Sequence, residues 1–239
     1  MNNPLLDATN TYEDSDVKER VRPFITLFML MSVDGKISTG PNDYDDFDAD
    51  IPNIESAKLG LYQYYELEKE TDYWSINSGK VFAKIGWNSK RLFEDKRKVC
   101  IAIFDNSHLT EQGIDNICEC YEKVVILSKV PHECCNMTRD NLYFYSYYGA
   151  SFNDIMEFLY TEFNVESATL QTGGTINSEF LREGLIDRVQ VVICPLLVGG
   201  FATPTLIDGF YNTKHDKWEV VNVKQLEHNY VMLEYKRVP

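Results

Sequence analysis

The chain has 239 residues, 44% of them hydrophobic and 25% charged, with a formal net charge of −14. That length suits one large α/β domain or two small ones and buries a substantial core. So acidic a balance excludes a nucleic-acid surface, which needs a basic stripe, although a local group of cations can still hold an anionic ligand.

The opening run MNNPLLDATNTYEDSD is polar and acidic and has no apolar stretch of the signal-peptide kind. No apolar run approaches the roughly 18 residues of a membrane span. Residues 1–20 are expected to form a flexible arm and residues 21–239 a single domain. With six cysteines and no leader, free thiols in a reducing cytoplasm are expected, with no membrane contact.

Residues 24–31, FITLFMLM, are apolar on both faces, as a central parallel strand must be. SVDGKI follows as a tight loop. STGPNDYDDFDADIPN is rich in Asp, Asn, Pro and Gly and reads as a long loop with no element of its own. A loop of that length after a buried strand points to function. Residues 54–70 predict a helix with Ala57, Leu61, Tyr64 and Tyr65 on one stripe.

Residues 72–76 read as a short strand, and Asn77-Ser78-Gly79-Lys80 opens a helix to about residue 85. Residues 99–104 (VCIAIF), 124–128 (VVILS) and 142–146 are three more strands. Ser151 or Asn153 caps a helix carrying Ile155, Phe158, Leu159 and Phe163 on one face. From Ala168 a short strand turns through Gly173-Gly174 into a helix, then leaves on an apolar strand ending at Gly199-Gly200. Residues 218–226 and 230–236 pair across a Glu-His-Asn turn. Strands alternating with helices and closed by a hairpin predict an α/β fold, with a mainly parallel sheet and an antiparallel edge.

Gly173 through Asn177 carry the strongest chemical signal. A helix that starts directly after a strand and a Gly pair points backbone N–H groups and a helix dipole at one place, which favours a phosphate. Thr175 adds a hydroxyl at the helix start. The alternative is a turn that needs glycine only for positive φ. Ser78-Gly79-Lys80 and Ser128-Lys129 are two more strand ends bearing a hydroxyl and a cation. Three such ends in one open α/β sheet mark the carboxyl edge where ligands bind. Gly174→Asp is expected to block cofactor binding without unfolding the chain.

Two segments also carry a family resemblance. PFITLFMLMSVDGKI resembles the T-L-x-x-x-S-x-D-G-K-I pattern of the riboflavin-biosynthesis reductases. LQTGGTINSEFLREGLIDRVQVVICPLLVGG is similar to their second signature, V-E-G-G-x-T-L…GL-[IV]-D-E…PxLLGG. The family is the RibD C-terminal group, and the resemblance runs from about Arg22 to the end. It implies a dihydrofolate reductase-like fold, NADPH as cofactor, and reduction of a ring-opened ribosylamino pyrimidine phosphate to the ribitylamino compound.

By position, the resemblance implies that backbone groups of Leu30 and Met31 hold the nicotinamide carboxamide and Ile37 packs on its ring. Gly173, Gly174, Thr175, Ile176 and Asn177 would cradle the pyrophosphate. Ser78, Gly79 and Ser128 would lie along the adenosine half, with Lys80 a candidate for the 2′-phosphate. It further implies a homodimer. Two departures fall at the substrate end. The family's glutamate ahead of the Gly pair is Gln171 here, which can hydrogen-bond but cannot hold a cation or take a proton. The family's S-x-W-I segment has no counterpart in NDYDDFDADIPN.

Hydride transfer needs no protein nucleophile, because positioning against the cofactor supplies most of the catalysis. No general acid is assigned. Asp34 is one candidate to touch substrate, and before Gly35 it equally suits a turn-stabilising role.

Cys118, Cys120, His132, Cys134 and Cys135 could supply metal ligands, but their C-x-C and adjacent spacings are not those of a zinc site, so free thiols and no metal are expected. Tyr143 to Tyr148 form an aromatic cluster, either a strand with its packing partner or part of a subunit interface. There is no deaminase H-x-E or P-C-x-x-C motif.

The sequence is therefore read as an NADPH-dependent reductase of the 5-amino-6-(5-phosphoribosylamino)uracil reductase type. The alternatives are a related reductase acting on another pterin-like, carbonyl or imine substrate, or a nucleotide-binding protein without turnover.

Overall fold

A strand apolar on both faces belongs in the middle of a sheet, and β1 (Phe24–Ser32) lies there. A computed structural model describes residues 21–42, 44–91, 97–209 and 215–238, so the expected arm at residues 1–20 lies outside the described residues. The other strands are β2 (Trp74–Ser78), β3 (Arg97–Phe104), β4 (Tyr121–Ser128), β5 (Leu142–Ser146), β6 (Ser167–Leu170), β7 (Arg188–Cys194), β8 (Lys217–Gln225) and β9 (Val231–Val238). They form one nine-stranded sheet in the order β5-β4-β3-β2-β6-β1-β7-β9-β8. Pairing is parallel from β5 to β7, and β9 is antiparallel to both β7 and β8.

Strand alternation sends successive side chains to opposite faces. One face of the sheet is a continuous apolar layer in which Ile25, Leu27, Ile76, Ala102 and Val125 pack under α5 (Phe152–Phe163) and α6 (Gly174–Arg182). The other face carries two separate cores. Phe28, Leu30 and Val192 pack under α1 (Phe47–Asp50), α2 (Tyr62–Glu68) and Tyr230. Ile101, Ile103, Val124 and Ile126 pack against α3 (Gly79–Lys84) and α4 (Glu111–Cys120). Between these cores the face is built from β2 and β6, whose outward residues there are Ser75, Asn77 and Thr169, with Gln171 just past β6.

Three readings need correction. The loop at residues 38–53 is not without structure. It holds α1 and a 3-10 turn, Ile51–Asn53, pinned by the buried side chains of Phe47 and Ile51 and capped when the Asp48 N–H donates to the Asp46 carboxylate (2.8 Å). The helix expected at residues 54–70 begins only at Tyr62. Gly60 lies in a preceding 3-10 turn, where a Cβ would come within 2.4 Å of the Tyr230 ring. The apolar strand expected to reach the second Gly pair ends at Cys194, and Gly199 and Gly200 take positive φ (72° and 82°) in the loop beyond. Within the aromatic cluster Tyr145 stacks on Phe158 of α5 and Tyr143 meets Phe163 edge-on, while Tyr148, beyond the strand, is exposed.

Phe180 of α6 is fully buried and meets Phe104 and Phe152 edge-on. Phe180→Ala is expected to cost about 3–5 kcal/mol of unfolding free energy through the cavity it leaves, read from urea denaturation followed by circular dichroism.

Candidate functional site

β6 is only four residues long. It pairs with β1 up to Leu27 and with β2 up to Ile76, after which both neighbours run on without it. A cleft of about 1750 Å³ opens there. It spans the polar floor of Ser75, Asn77 and Gln171, passes Met29 and Leu30, and reaches the carboxyl edge at Ser78, Lys80, Asn106, Lys129 and the start of α6.

At that edge α6 begins at Gly174 with Gly173 as its N-cap residue and no side chain capping it. First-turn N–H groups have no intrahelical partner, and Gly173, Gly174, Thr175 and Ile176 all line the cleft. Neither glycine has positive φ, so the turn is not explained by backbone handedness. Gly174 is required because a Cβ there would lie 2.4 Å from the Thr205 carbonyl oxygen, whereas a Cβ on Gly173 would meet nothing within 4 Å. The expectation for Gly174→Asp changes accordingly. That carboxylate would strike Thr205 and Asp208, and Gly173 is the position open to the cleft. Asn177 is fully buried inside the turn, accepting from Thr172 Oγ1 (2.6 Å) and donating to the Leu206 carbonyl (2.9 Å), so it does not face the cleft.

The D-G-K loop after β1 forms the adjoining wall. Gly35 takes φ 76°, and the Lys36 ammonium donates to the carbonyls of Gly200 and Thr203. The Ile37 N–H donates to the Pro204 carbonyl (3.0 Å), which holds Ile37 on the cleft beside Leu30. Met31 is not among the lining residues; Met29 stands there instead. Asp34 is also off the cleft. Its carboxylate accepts from Ser32 Oγ (2.6 Å) and from the N–H groups of Val198 (3.1 Å) and Gly199 (2.6 Å). Those bonds hold its pKa down from 3.8 to about 2. Asp34 is a clasp between two loops and not a proton donor.

Ser78 and Lys80 line the cleft, but Gly79 lies against Asp105, where a Cβ would come within 2.4 Å of the carboxyl carbon. Ser128 is buried and its hydroxyl meets no partner among the described residues; the next residue, Lys129, is the one on the cleft.

Asp105 was not singled out by the sequence. It takes the N–H groups of His108 (3.0 Å) and Leu109 (2.9 Å) and lies 2.9 Å from His132 Nε2. Burial works against its charge, yet these hydrogen bonds keep its pKa below the ordinary value. The Cys134 N–H donates to His132 Nδ1, which leaves the ring proton on Nε2 facing Asp105. His132 is thus a buried hydrogen-bonding group. Among the described residues no cluster of His, Cys, Asp and Glu is arranged to hold a metal ion, and all six cysteines are free.

The other end of the cleft lies over the polar floor. Tyr64 of α2 stacks on Phe28 with ring centroids 5.0 Å apart. Gln171 Nε2 donates to Glu68 Oε1 (2.7 Å) and to the Tyr64 hydroxyl (3.3 Å), while Gln171 Oε1 accepts from Ser75 Oγ (3.3 Å). The Tyr65 hydroxyl donates to Asp48 Oδ1 (2.6 Å). Asp48 presents an exposed surface but stands inside the concave mouth, and the surrounding protein raises its pKa. Lys84 pairs with Asp46 at 3.3 Å. None of Tyr64, Glu68, Asp46 or Asp48 was nominated from the sequence.

A mainly parallel sheet cleft at a short central strand, with an uncapped helix start at its carboxyl edge, defines an α/β protein with an open cleft at the ends of its parallel strands. Residues 87–232 match the RibD C-terminal domain family, and the chain belongs to that family.

Two curated relatives are both named 2,5-diamino-6-ribosylamino-4(3H)-pyrimidinone 5′-phosphate reductase. The one from Methanothermobacter thermautotrophicus is 44% identical over 45 residues, covering 19% of this chain and 21% of the relative. The one from Aquifex aeolicus is 29% identical over 90 residues, covering 30% and 40%. A solved deaminase/5-amino-6-(5-phosphoribosylamino)uracil reductase from Thermotoga maritima superposes with a TM-score of 0.64 at 18% identity, over 91% of this chain and 57% of that one. The chain matches well under two thirds of the length of each of these proteins. The fold is the dihydrofolate reductase-like one of the RibD reductases. No helix among the described residues is long and apolar enough to cross a membrane.

The Asp34 clasp has a pH signature. A carboxyl whose pKa falls from 3.8 to about 2 on folding adds stability above the higher value and loses it as pH drops through the lower. Asp34→Asn is expected to be less stable than the parent at neutral pH, the difference closing as pH falls from 4 toward 2. Thermal unfolding across that range measures it.

Proposed function

We propose that the chain is an NADPH-dependent reductase of riboflavin biosynthesis that converts a ribosylamino pyrimidine phosphate to its ribitylamino form. The observation that carries this is the cleft itself, with the uncapped start of α6 at one end and a polar, hydrogen-bonding floor at the other. The residues fit a dinucleotide. Gly173 leaves open space where a side chain would stand, and the N–H groups of the first turn of α6 meet the pyrophosphate. Leu30 and Ile37 flank the nicotinamide, Ser78 lies along the adenosine half, and Lys80 meets the 2′-phosphate. Bound NADPH supplies the hydride; the chain's part is to bind, orient and exclude water. No side chain is assigned as proton donor, since Asp34 is engaged in its clasp.

Residues 21–239 are read as one domain in a reducing cytoplasm, in keeping with six free thiols. A nucleotide-binding protein without turnover is less well supported, because Pro41, Asn42, Asp46 and Asp48 stand on the rim of an open cleft and do not fill it. Exposed Val220, Val221 and Val223 on the edge strand β8 support a homodimer.

NADPH at a hundredfold excess over its Kd is expected to add about 2.7 kcal/mol, roughly 5–10 °C in Tm for a chain of this size, with a smaller shift from NADH. Gly173→Asp, folded by circular dichroism, should lose that shift; an unchanged shift in this variant would move the phosphate elsewhere. NADPH oxidation with the ribosylamino pyrimidine phosphate tests the substrate, and no oxidation would remove it. For assembly, sedimentation velocity is expected to give a dimer for the parent and a monomer for Val223→Glu, and a monomeric parent would refute the dimer.

A further inference from the structure

We infer that Glu68, fixed by Gln171, reads the heterocycle of the substrate and selects a 2-amino-4-oxopyrimidine over its 2,4-dioxo counterpart. This rests on the reductase reading above. The two candidate substrates differ at ring position 2. The diaminopyrimidinone sets a ring N3–H beside a 2-amino group, which is a pair of donors. The uracil sets the same N3–H beside a carbonyl oxygen.

Gln171 is engaged on three sides. Both of its amide hydrogens are directed at Glu68 Oε1 and the Tyr64 hydroxyl, and its oxygen accepts from Ser75 Oγ. Its role is to hold the Glu68 carboxylate at the polar floor, where Glu68, Tyr64, Ser75 and Gln171 all line the cleft. Glu68 Oε2 has no hydrogen-bond partner among the described residues, and Oε1 keeps a second lone pair. An ionised carboxylate offers acceptors only. It pairs in two places with the N3–H and 2-amino edge, a charge-assisted bidentate contact, and it sets oxygen against oxygen at the 2-oxo edge. The amide at position 171 and the carboxylate at position 68 thus act as one unit, the amide positioning and the carboxylate recognising.

The test is the ratio of kcat/KM for the two pyrimidine phosphates, with NADPH, in the parent and in Glu68→Gln. The parent is expected to favour the 2-amino compound by at least about tenfold, and Glu68→Gln, whose amide can donate to the 2-oxo group, to lower that ratio by roughly tenfold or more. Loss of packing alone would depress both substrates together and leave the ratio in place. NADPH affinity, measured by fluorescence, should be unchanged, and Glu68→Asp should keep the preference.

An unchanged ratio in Glu68→Gln overturns the assignment. Should that variant not fold, calorimetric binding of the two compounds to the parent decides, and equal affinity or a preference for the 2-oxo compound overturns it. Turnover of both compounds with no preference removes the role of Glu68 and leaves the reductase standing. Turnover of neither removes the reductase reading, and this one with it.

Discussion

The structure depends on how soon β6 stops. A central strand of four residues between neighbours of nine and five leaves the end of β1 facing the end of β2 with no strand between them. The gap leaves backbone groups of β1 and β2 without a ladder partner, and they need polar groups or water. It stays open because WSINS and the ATLQ run place Ser75, Asn77, Thr169 and Gln171 on one face and Trp74, Ile76, Ala168 and Leu170 on the other. The apolar set anchors both strands to α5 and α6, while Ser75, Asn77 and Gln171 become the floor and Thr169 is buried against Asp72. One alternation thus makes both the core and the cleft.

The two family-like motifs, about 150 residues apart in sequence, are one physical object. Asp34 holds the Val198 and Gly199 amides, Lys36 holds the Gly200 and Thr203 carbonyls, and the backbone of Gly35 and Ile37 pairs with Leu206 and Pro204. The loop so fixed continues to Thr205 and Asp208, which press on Gly174. Position is therefore passed from the end of β1 to the start of α6 through rigid backbone contacts, and that accounts for the glycine at position 174 without any reference to a ligand.

Much of this was legible in the residues. The buried runs at β1, β3 and β4 and the closing hairpin stand out by composition, and so do the Gly173-Gly174 turn and the D-G-K loop. What was hidden depended on tertiary contact. Asp34 and Asn177 look like ligand-facing polar residues in sequence, and only the packed loops reveal that their hydrogen-bonding capacity is used internally. Met31 and Met29 differ by two residues and share a face of β1, so nothing in the sequence says which of them reaches the gap. α1 was masked by an acidic, Pro-containing segment whose helix rests on two buried anchors, Phe47 and Ile51. Glu68 had no local signal at all. It is an ordinary helix-terminal glutamate until α2 is laid beside Gln171.

That last contact changes how the substrate end is understood. Judged by sequence, the step from glutamate to Gln171 removes a carboxylate from the floor of the site. In the folded chain the carboxylate is restored one element away, because Tyr64 and Glu68 lie four residues apart on α2 and so share the face that meets Gln171. An amide is well suited to that place. A second carboxylate at position 171 would stand 2.7 Å from the first and repel it, whereas the amide donates a hydrogen bond to Glu68. The two positions are thus coupled: the amide at 171 donates to the carboxylate at 68, on a cleft wall that also carries Asp48 and Asp72.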